Sequence, residues 1–327
     1  MQDRLLYTDF NHLYLPFWKM NKDLFKDAFL QRKKSQLFYS TRQTKVKETL
    51  EAGSLLKSNK GLNILSIGAG DGTLDQCIIK GNQLKVDLYH AIDPVLSKFY
   101  SHFVEKVKSW DIPYVVEQKA FSEDYDLPPK NEITVNQLNG LIQPFCDYFG
   151  NDDNSGQNIF DLVIMSSMLY HVDHPGLAVK KARSLLKPGG VIIIFIQTLE
   201  INSEVYSYMV ETSPPEFKEA THNYAMCDQD VMKELDDMKI PYTHDVYDDV
   251  GHCHDVTEYL ASNGQSPAMM FRMCLEFQAQ KKFDDWSEEQ KMGVYEIVKR
   301  RAFQNGEGKD VAPDYLATIV VKAEDER

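Results

Sequence analysis

Residues 63–75 read Asn63-Ile-Leu-Ser-Ile-Gly-Ala-Gly-Asp-Gly-Thr-Leu-Asp75, a short apolar strand that runs into glycines at positions 68, 70 and 72. Glycine accepts backbone angles that are closed to other residues and lets the main chain approach a ligand closely. A strand-to-helix turn beneath a nucleoside requires both properties. The spacing therefore predicts a site for a cofactor that contains adenosine.

The third glycine bears on which cofactor binds. A dinucleotide fingerprint, G-x-G-x-x-G, needs glycine at position 73, where this chain has Thr73. The chain reads G-x-G-x-G instead, with Asp71 and Asp75 interleaved. Carboxylates repel a pyrophosphate but suit the cationic amino acid end of S-adenosylmethionine. A nicotinamide-dependent dehydrogenase is therefore disfavoured, and a tight glycine turn without a ligand stays an alternative.

A second predicted strand, Val86-Asp-Leu-Tyr-His-Ala-Ile-Asp93, ends in an acid about 20 residues past the glycines. An acid at this place accepts hydrogen bonds from both ribose hydroxyls. Asp93-Pro94 also suits an ordinary turn. Two further segments favour the ribose interpretation: the apolar run Phe160–Met165, and a helix end, Pro-Gly-Gly turn and buried strand over Leu186–Ile196.

Composition limits the class of protein. The chain has 327 residues, 43% of them hydrophobic, which is enough for a large core. Its formal net charge of −13 opposes nucleic acid binding, because phosphates are bound by clustered Lys and Arg. The basic clusters 32–34 and 299–301 are short and typical of solvated helix faces. An acidic surface attracts a cationic small molecule instead.

The sequence predicts a protein of the cytoplasm that is a monomer and does not enter a membrane. Its N-terminus has no apolar signal segment, and no apolar run reaches 18 residues. Its five cysteines are scattered without a C-x-x-C pair, which indicates reduced thiols. His252-Cys-His254 is the one cluster that resembles a metal site, but no second pair of ligands lies nearby, so no metal is expected.

Three segments are expected along the chain. Residues 1–60 show apolar spacing of three and four and predict an N-terminal helical cap. Residues 61–198 alternate strands and helices, as in a parallel sheet that binds the cofactor. Residues 199–327 contain an aromatic stretch around Pro214-Pro215 that is a candidate lid, further helices that build a substrate chamber, and closing strands of the sheet.

On these residues the chain resembles the class I S-adenosylmethionine-dependent methyltransferases, and more closely the histamine N-methyltransferase family. The resemblance covers residues 60 to 325 and rests on four segments: Ile64-Leu-Ser-Ile-Gly68, Asp93-Pro94, Met168-Leu-Tyr-His-Val172 and Tyr315–Ala323. It implies an α/β fold, a Rossmann-like seven-stranded class I methyltransferase sheet with helical substrate-binding elaborations. It also implies an enzyme with S-adenosyl-L-methionine as its cofactor.

The resemblance places cofactor-binding residues along the carboxyl ends of the strands. Ser122 is expected at the adenine end and Ser166 in the loop after the fourth strand. Lys98 departs from the family, which has a neutral amide near the ribose, so one ribose contact is in doubt. The full expected set is Gly68, Ala69, Gly70, Asp71, Asp93, Ser122 and Ser166.

The substrate side departs from the histamine-methylating pattern at every polar anchor. Ser167 stands where that family has a glutamine, His171 where it has a tyrosine and Asp314 where it has an asparagine. The position of the family's N-terminal glutamate falls near Gln36. Such changes alter which hydrogen bonds a buried ligand can satisfy, and an unpaired buried group costs roughly 1 to 3 kcal/mol. Histamine itself is therefore not assigned as the substrate.

His171 and Asp314 are the predicted catalytic residues. His171 follows Tyr170 at the mouth of the expected cleft and suits a general base, although a loop histidine also serves as a packing residue. Asp314 suits a protonated amine or an imidazole N–H, or else a turn after Pro313. The expected substrate-binding set is Tyr14, Phe17, Ser167, Tyr170, His171, Tyr206, Phe277 and Asp314, of which the aromatic members are also typical of ordinary core.

The sequence as a whole predicts transfer of a methyl group to a nitrogen of a small amine or imidazole compound. Methyl transfer from a sulfonium is an in-line displacement, in which orientation alone supplies on the order of 7 to 11 kcal/mol. Such a reaction needs cofactor clamps and an apolar chamber with few polar anchors. The alternatives are a small-molecule O-methyltransferase and, in another class, a catalytically inert scaffold of the same fold.

Overall fold

The chain divides into two compact units. One, here called the sheet unit, comprises Tyr39–Ile196, Val231–Asp245 and Thr318–Arg327; the other, the helical unit, comprises Met1–Phe38, Gln197–Asp230 and Val246–Ala317. The structure is a computed structural model. It describes residues 36–57, 60–93, 103–117, 121, 125, 159–169, 172, 174–213, 226–247, 253–268, 271–272, 275–276 and 282–324.

Helices and strands alternate through much of the described sequence. The helices are α1 Gln36–Ala52, α2 Thr73–Gly81, α3 Pro175–Ser184, α4 Ile201–Thr212, α5 Asp228–Asp237, α6 Thr257–Ala261 and α7 Glu288–Arg301. The strands are β1 Leu62–Ile67, β2 Val86–Ile92, β3 Tyr114–Glu117, β4 Phe160–Ser166, β5 Leu186–Gln197, β6 Tyr242–Tyr247, β7 Cys253–Asp255, β8 Phe303–Gln304, β9 Asp310–Pro313 and β10 Leu316–Lys322.

A seven-stranded sheet in the order β3-β2-β1-β4-β5-β10-β6 forms the core of the sheet unit. The pairs β1–β2, β1–β4, β2–β3 and β4–β5 are all parallel. The strand order reverses at β1, with β2 on one side and β4 on the other. Ligands of open α/β sheets bind outside the carboxyl ends of the strands at such a point. The predicted α/β, Rossmann-like, seven-stranded sheet is confirmed.

Continuous apolar runs explain why these strands lie at the centre. All six residues of β1 are buried, and Ile64 and Leu65 have no exposed surface. Strands that are covered on both faces read as unbroken apolar runs, whereas strands with one wet face alternate. The runs that the sequence shows at β1, β4 and the second half of β5 therefore belong to the middle of the sheet.

The Pro-Gly-Gly segment differs from its prediction as a turn between a helix and a strand. It lies inside β5, where the register with β4 jumps from Phe160↔Leu186 to Leu162↔Val191. The extra residues form an irregularity in the strand rather than a separate turn. A Cβ on Gly190 would lie 2.9 Å from the carbonyl oxygens of Lys187 and Phe160, so only glycine fits there.

The helical unit has its own apolar core, formed by α4, α6 and α7 together with the short sheet β7-β9-β8. Both β7 and β8 pair with β9 in the antiparallel sense. At the crossing of α4 and α7, Tyr208 lies so close to Gly293 that a Cβ there would meet its ring at 2.1 Å. The first part of the candidate lid is therefore a packed helix, and residues 214–225 lie outside the described residues.

Among the helices of the described ranges, none combines the length and the apolar character that crossing a membrane requires. Of the N-terminal segment expected to be helical, α1 covers Gln36–Ala52, and residues 1–35 lie outside the described residues. The predicted boundaries at 60 and 198 remain predictions. The chain crosses from one compact unit to the other at Tyr39, Gln197, Val231, Val246 and Thr318.

Candidate cofactor site

The glycine loop joins β1 to α2, and its three glycines have left-handed backbone angles. The φ angles are +74° at Gly68, +56° at Gly70 and +70° at Gly72, a region that other residues rarely adopt. A Cβ on Gly68 would lie 2.6 Å from Met168 Cβ, and one on Gly72 would lie 2.8 Å from the Phe103 ring. A Cβ on Gly70 would meet no atom within 4 Å. Gly68 and Gly72 therefore allow close packing, whereas Gly70 borders open space on the side where a ligand can approach.

Asp93 follows β2 and is bound directly to this loop. The backbone N–H of Gly70 donates to Asp93 Oδ2 at 2.8 Å, and Gly68 N–H donates to the carbonyl of Ile92 at 2.8 Å. Asp93 is buried, yet a carboxylate has enough lone pairs to accept further bonds from a ligand hydroxyl. The structure thus brings together Gly70 and Asp93, which are 23 residues apart, as expected for one adenosine site.

The Asp71 carboxylate accepts hydrogen bonds from a neighbouring residue of the protein. Its Oδ1 accepts from Thr73 N–H at 3.0 Å, and its Oδ2 accepts from Thr73 Oγ1 at 2.9 Å. Lys106 Nζ lies 3.6 Å from the same Oδ2 and donates to the Asp71 carbonyl at 2.7 Å. The carboxylate therefore organises the first turn of α2, and a lysine offsets its charge.

Asp75 lies behind the loop, in the core of the sheet unit. Ser66 Oγ donates to its carboxylate at 3.0 Å, and Tyr89 OH donates to it at 2.8 Å. Burial raises the pKa of Asp75 from 3.8 to about 6, against the opposing effect of these two hydrogen bonds. The interpretation that Asp75 faces the amino acid end of the cofactor is therefore wrong, since its oxygens face β1 and β2.

The carboxyl end of β3 contributes a largely buried carboxylate, Glu117, that was not among the site residues expected from the sequence. Glu117 accepts through Oε1 from Tyr125 OH at 2.6 Å, and the same oxygen lies 2.7 Å from His90 Nε2. The Glu117 carbonyl accepts from Asp93 N–H at 3.1 Å. Glu117 therefore connects Asp93, which follows β2, to Tyr125, three residues beyond Ser122. The signal that could have found it is an acid directly after the apolar run Tyr114–Val116.

Ser166 and Ser167 stand at the carboxyl end of β4, next to the glycine loop. Ser167 has a φ of +51°, which is unusual for a residue other than glycine, and its N–H donates to the Phe195 carbonyl at 2.9 Å. Met168 follows and packs beneath Gly68. Strained backbone of this kind is concentrated at functional sites, which agrees with the expected role of this loop.

Asp314 belongs to the helical unit, where it pairs with a histidine. His254 Nε2 lies 3.1 Å from Asp314 Oδ2, and both side chains are largely buried. Antiparallel pairing of β7 with β9 places His254 opposite Ala312, which brings the two together. Glu200 lies in the same electrostatic environment: burial raises its pKa, Arg301 lowers it, and Glu204, Asp228 and Asp314 raise it. Tyr206 is a buried residue of α4.

Several expected site residues lie outside the described residues, so their roles, and that of the His171–Asp314 pair, stay predictions. Among the residues that the structure does describe, no group of three or more His, Cys, Asp or Glu side chains could hold a metal ion. The residues outside are Tyr14, Phe17, Lys98, Ser122, Tyr170, His171, His252 and Phe277.

The residues present suit an adenosine-containing cofactor. The main chain at Gly70 is open to close approach, and the Asp93 carboxylate beside it is an acceptor for ribose hydroxyls. Position 73 holds a threonine whose hydroxyl is bonded to Asp71 and Lys106, whereas a dinucleotide loop needs a glycine there. The geometry therefore agrees with S-adenosylmethionine and not with a nicotinamide dinucleotide.

Comparison with known proteins gives one family and a set of distant structural neighbours. A family model described as a methyltransferase domain matches residues 38–286. No curated protein matches the chain significantly. The YcgJ protein from Bacillus subtilis is 11% identical over 86% of this chain and 100% of its own, with a TM-score of 0.47.

Two further solved structures are similar at the same level. A putative methyltransferase from Bacillus halodurans is 12% identical over 84% of this chain and 97% of its own, with a TM-score of 0.43. Phosphoethanolamine N-methyltransferase 2 from Haemonchus contortus is 14% identical over 82% of this chain and 50% of its own, with a TM-score of 0.42. Likeness this distant carries no information on the substrate.

The family match covers both the glycine loop and Asp93, the residues that the sheet brings together at its switch point. This match, together with the seven-stranded sheet and the contact between Gly70 and Asp93, shows that the chain belongs to the methyltransferase domain family. It is a class I S-adenosylmethionine-dependent methyltransferase.

Proposed function

We propose that the enzyme methylates a nitrogen of a small amine or imidazole compound that resembles histamine. The observation that carries this proposal is Asp314, a largely buried carboxylate of the helical unit. Burial, Glu204, Asp228 and Asp314 all raise the pKa of Glu200, while Arg301 lowers it and pairs with both Glu200 and Glu204. A cationic acceptor can pair with the Asp314 carboxylate, and the net charge of −13 acts in the same direction.

The chemistry of the acceptor sets what the protein must do. When bound, S-adenosylmethionine supplies an electrophilic methyl group on a sulfonium. An ammonium group has no lone pair with which to attack, so the acceptor nitrogen must lose its proton first. In the proposal, Asp314 holds the cationic form and His171 takes the proton. Turnover of an amine acceptor should then rise with pH through the relevant ionisation.

O-methylation of a small hydroxylated compound is the second candidate, and one contact favours it. His254 lies 3.1 Å from Asp314, and a protonated His254 would neutralise the carboxylate that attracts an amine. A neutral phenol or hydroxy acid would then be the better ligand. An inert scaffold of the same fold differs from both candidates because it would transfer no methyl group to any acceptor.

Methyl transfer from radiolabelled S-adenosylmethionine to a panel of biogenic amines, imidazoles and phenols distinguishes these candidates. We expect label on an amine or imidazole, with Asp314→Asn raising KM for that acceptor and His171→Phe lowering turnover more than cofactor affinity. Asp310→Asn makes the same change of charge in β9 and is the matched control, for which KM should not change. Label confined to phenols would favour O-methylation, and no transfer to any acceptor would contradict the proposal.

We further propose that the enzyme works in the cytoplasm as a monomer. The five cysteines are scattered, and Cys77 and Cys227 are free thiols, which suits a reducing compartment. Size-exclusion chromatography with light scattering measures the oligomeric state. A dimer at micromolar concentration would contradict the second part of this proposal.

A further inference from the structure

Lys106, a residue from outside the glycine loop, forms hydrogen bonds at the start of α2. Lys106 belongs to the helical residues 103–108, which follow β2 in the chain. Its Nζ donates to the Asp71 carbonyl at 2.7 Å and to Thr73 Oγ1 at 2.7 Å. The hydroxyl of Thr73 in turn donates to Asp71 Oδ2, so Lys106, Thr73 and Asp71 form one set of hydrogen bonds that closes through the main-chain carbonyl of Asp71.

A second contact with the loop is made by Phe103, which lies one helical turn before Lys106 in the same segment. The ring of Phe103 lies where a Cβ on Gly72 would be only 2.8 Å away. Residues 103 and 106 are three apart, so they occupy one face of the helix. This face therefore contacts the loop at Gly72 by packing and at residues 71 and 73 by hydrogen bonds.

The contacts bear on the cofactor because they lie next to the residue that approaches it. Gly70 precedes Asp71 directly, and its N–H is aimed at Asp93 at 2.8 Å. Holding the Asp71 carbonyl and the Thr73 side chain limits the conformations of the peptide between them. A loop that is ordered before binding loses less entropy when the ligand arrives, which increases affinity.

We propose that Lys106 is a positioning residue for S-adenosylmethionine, which acts through Asp71 and Thr73 and does not touch the cofactor. Its positive charge offsets Asp71, both side chains being mostly buried. Asp75 is bonded to Ser66 and Tyr89 behind the loop. Selectivity for the sulfonium therefore does not come from an uncompensated acidic loop, and Lys106 serves substrate and product forms of the cofactor alike.

The first test compares Lys106→Met with Lys80→Met by calorimetric titration of S-adenosylmethionine and S-adenosylhomocysteine. Lys80 Nζ donates to the Trp110 carbonyl at 2.9 Å, so its variant also removes a bond from a lysine to a backbone carbonyl of the sheet unit. We expect Lys106→Met to raise Kd for both ligands by the same factor, about tenfold. Lys80→Met should leave both unchanged, and Lys106→Arg should restore most of the affinity.

The second test needs no ligand and uses a milder change. Thr73→Val removes the hydroxyl of Thr73, one of the two groups to which Lys106 donates, but leaves the lysine and its bond to the Asp71 carbonyl in place. Hydrogen exchange of a peptide that covers residues 68–75 should become faster in Lys106→Met and, by a smaller factor, in Thr73→Val. In the double variant of Lys106→Met and Thr73→Val, the loss of binding free energy should be smaller than the sum of the losses in the two single variants. Both substitutions act on one set of hydrogen bonds.

Each outcome decides the proposal. Equal weakening of both ligands with non-additive losses supports it. A change of more than about threefold in the ratio of the two Kd values would show that the lysine acts as a charge on the sulfonium, which overturns the proposal. Unchanged affinity and unchanged exchange in a folded Lys106→Met protein also overturn it, as does full additivity with Thr73→Val.

Discussion

The three glycines of the cofactor loop share a positive φ for different physical reasons. At Gly68 and Gly72 a side chain would collide with Met168 and Phe103, so these residues serve packing as well as backbone geometry. At Gly70 the constraint is the φ of +56°, because no atom of the described residues lies within 4 Å of where its Cβ would be. A substitution at Gly70 therefore acts chiefly on the ligand and on the backbone angle.

We expect Gly70→Val to abolish binding of S-adenosylmethionine, because the side chain would occupy the space through which the cofactor approaches. Gly308→Val is the matched control: its φ is +76°, and its Cβ would also meet no atom within 4 Å. The control reproduces the backbone strain away from the site. Calorimetry of both variants, each first shown to be folded by circular dichroism, checks this. Equal affinities in the two variants would contradict the assignment of the cleft.

Asp93→Ala should weaken S-adenosylmethionine binding by about 1.5 to 3 kcal/mol, the range for a lost charge-assisted hydrogen bond. The control is Asp161→Ala, since Asp161 also accepts from a backbone N–H of the sheet unit, that of Asn63 at 2.7 Å. Asn63 is near the amino end of β1, far along the strand from the glycine loop. Calorimetry should show weak binding for the first variant only; equal losses would indicate a general effect on the fold.

At the scale of elements, Asp75 ties α2 to two neighbouring strands. Its carboxylate accepts from Ser66 of β1 and from Tyr89 of β2, and it lies in the first turn of α2. Three elements that must be in register for the glycine loop to form thus meet at one buried group. The same group makes their stability depend on pH.

Burial raises the pKa of Asp75 from 3.8 to about 6, so between these values the folded protein binds more protons at this group than the unfolded chain. Stability from Asp75 is therefore fully present below the lower value and is lost as pH rises through the higher one. We therefore compare the free energy of unfolding of the natural protein with that of Asp75→Asn. The natural protein minus the variant should give a difference about 1 kcal/mol larger at pH ~5 than at pH ~7.5.

Urea denaturation of both proteins at the two pH values measures this difference. Asp87→Asn removes an exposed carboxylate of β2 and controls for the change of net charge. A difference between the natural protein and Asp75→Asn that stays constant with pH, or that shrinks as pH falls, would contradict the raised pKa.

At the scale of the whole molecule, the chain passes several times between its two compact units. The sheet unit takes β1 to β5 from one stretch, β6 from a second and β10 from a third. β10 lies between β5 and β6 in the sheet, and six of its seven residues are buried. The family match from 38 to 286 includes segments of both units.

A fragment of residues 1–198 should therefore fail to fold, although it contains the glycine loop, Asp93 and five of the seven strands. Without β10 the apolar second half of β5 would become an exposed edge, which promotes aggregation. Thermal unfolding followed by circular dichroism, with the full chain as reference, tests this. Cooperative unfolding of a soluble 1–198 fragment would show that the sheet does not depend on its closing strands.

The sequence by itself determined the features that depend on local pattern. Apolar runs indicated the central strands, and glycine spacing indicated the loop, because backbone angles depend on the residue that adopts them. The position of Asp93 also followed, since the carboxyl ends of neighbouring parallel strands meet at one edge. The parallel sheet, the cofactor and the placing of the glycine loop and Asp93 at one site were predictable in this way, whereas the hydrogen bond from Gly70 to Asp93 was not.

Only the tertiary structure decided what each acid contacts. Asp71 and Asp75 read alike in the sequence, yet one is offset by Lys106, 35 residues further on, and the other is buried against Tyr89. Asp314 meets His254 through the pairing of β7 with β9. Such contacts arise when elements distant in the chain are packed together, and the electrostatics of a carboxylate depends on those neighbours rather than on its own residue type.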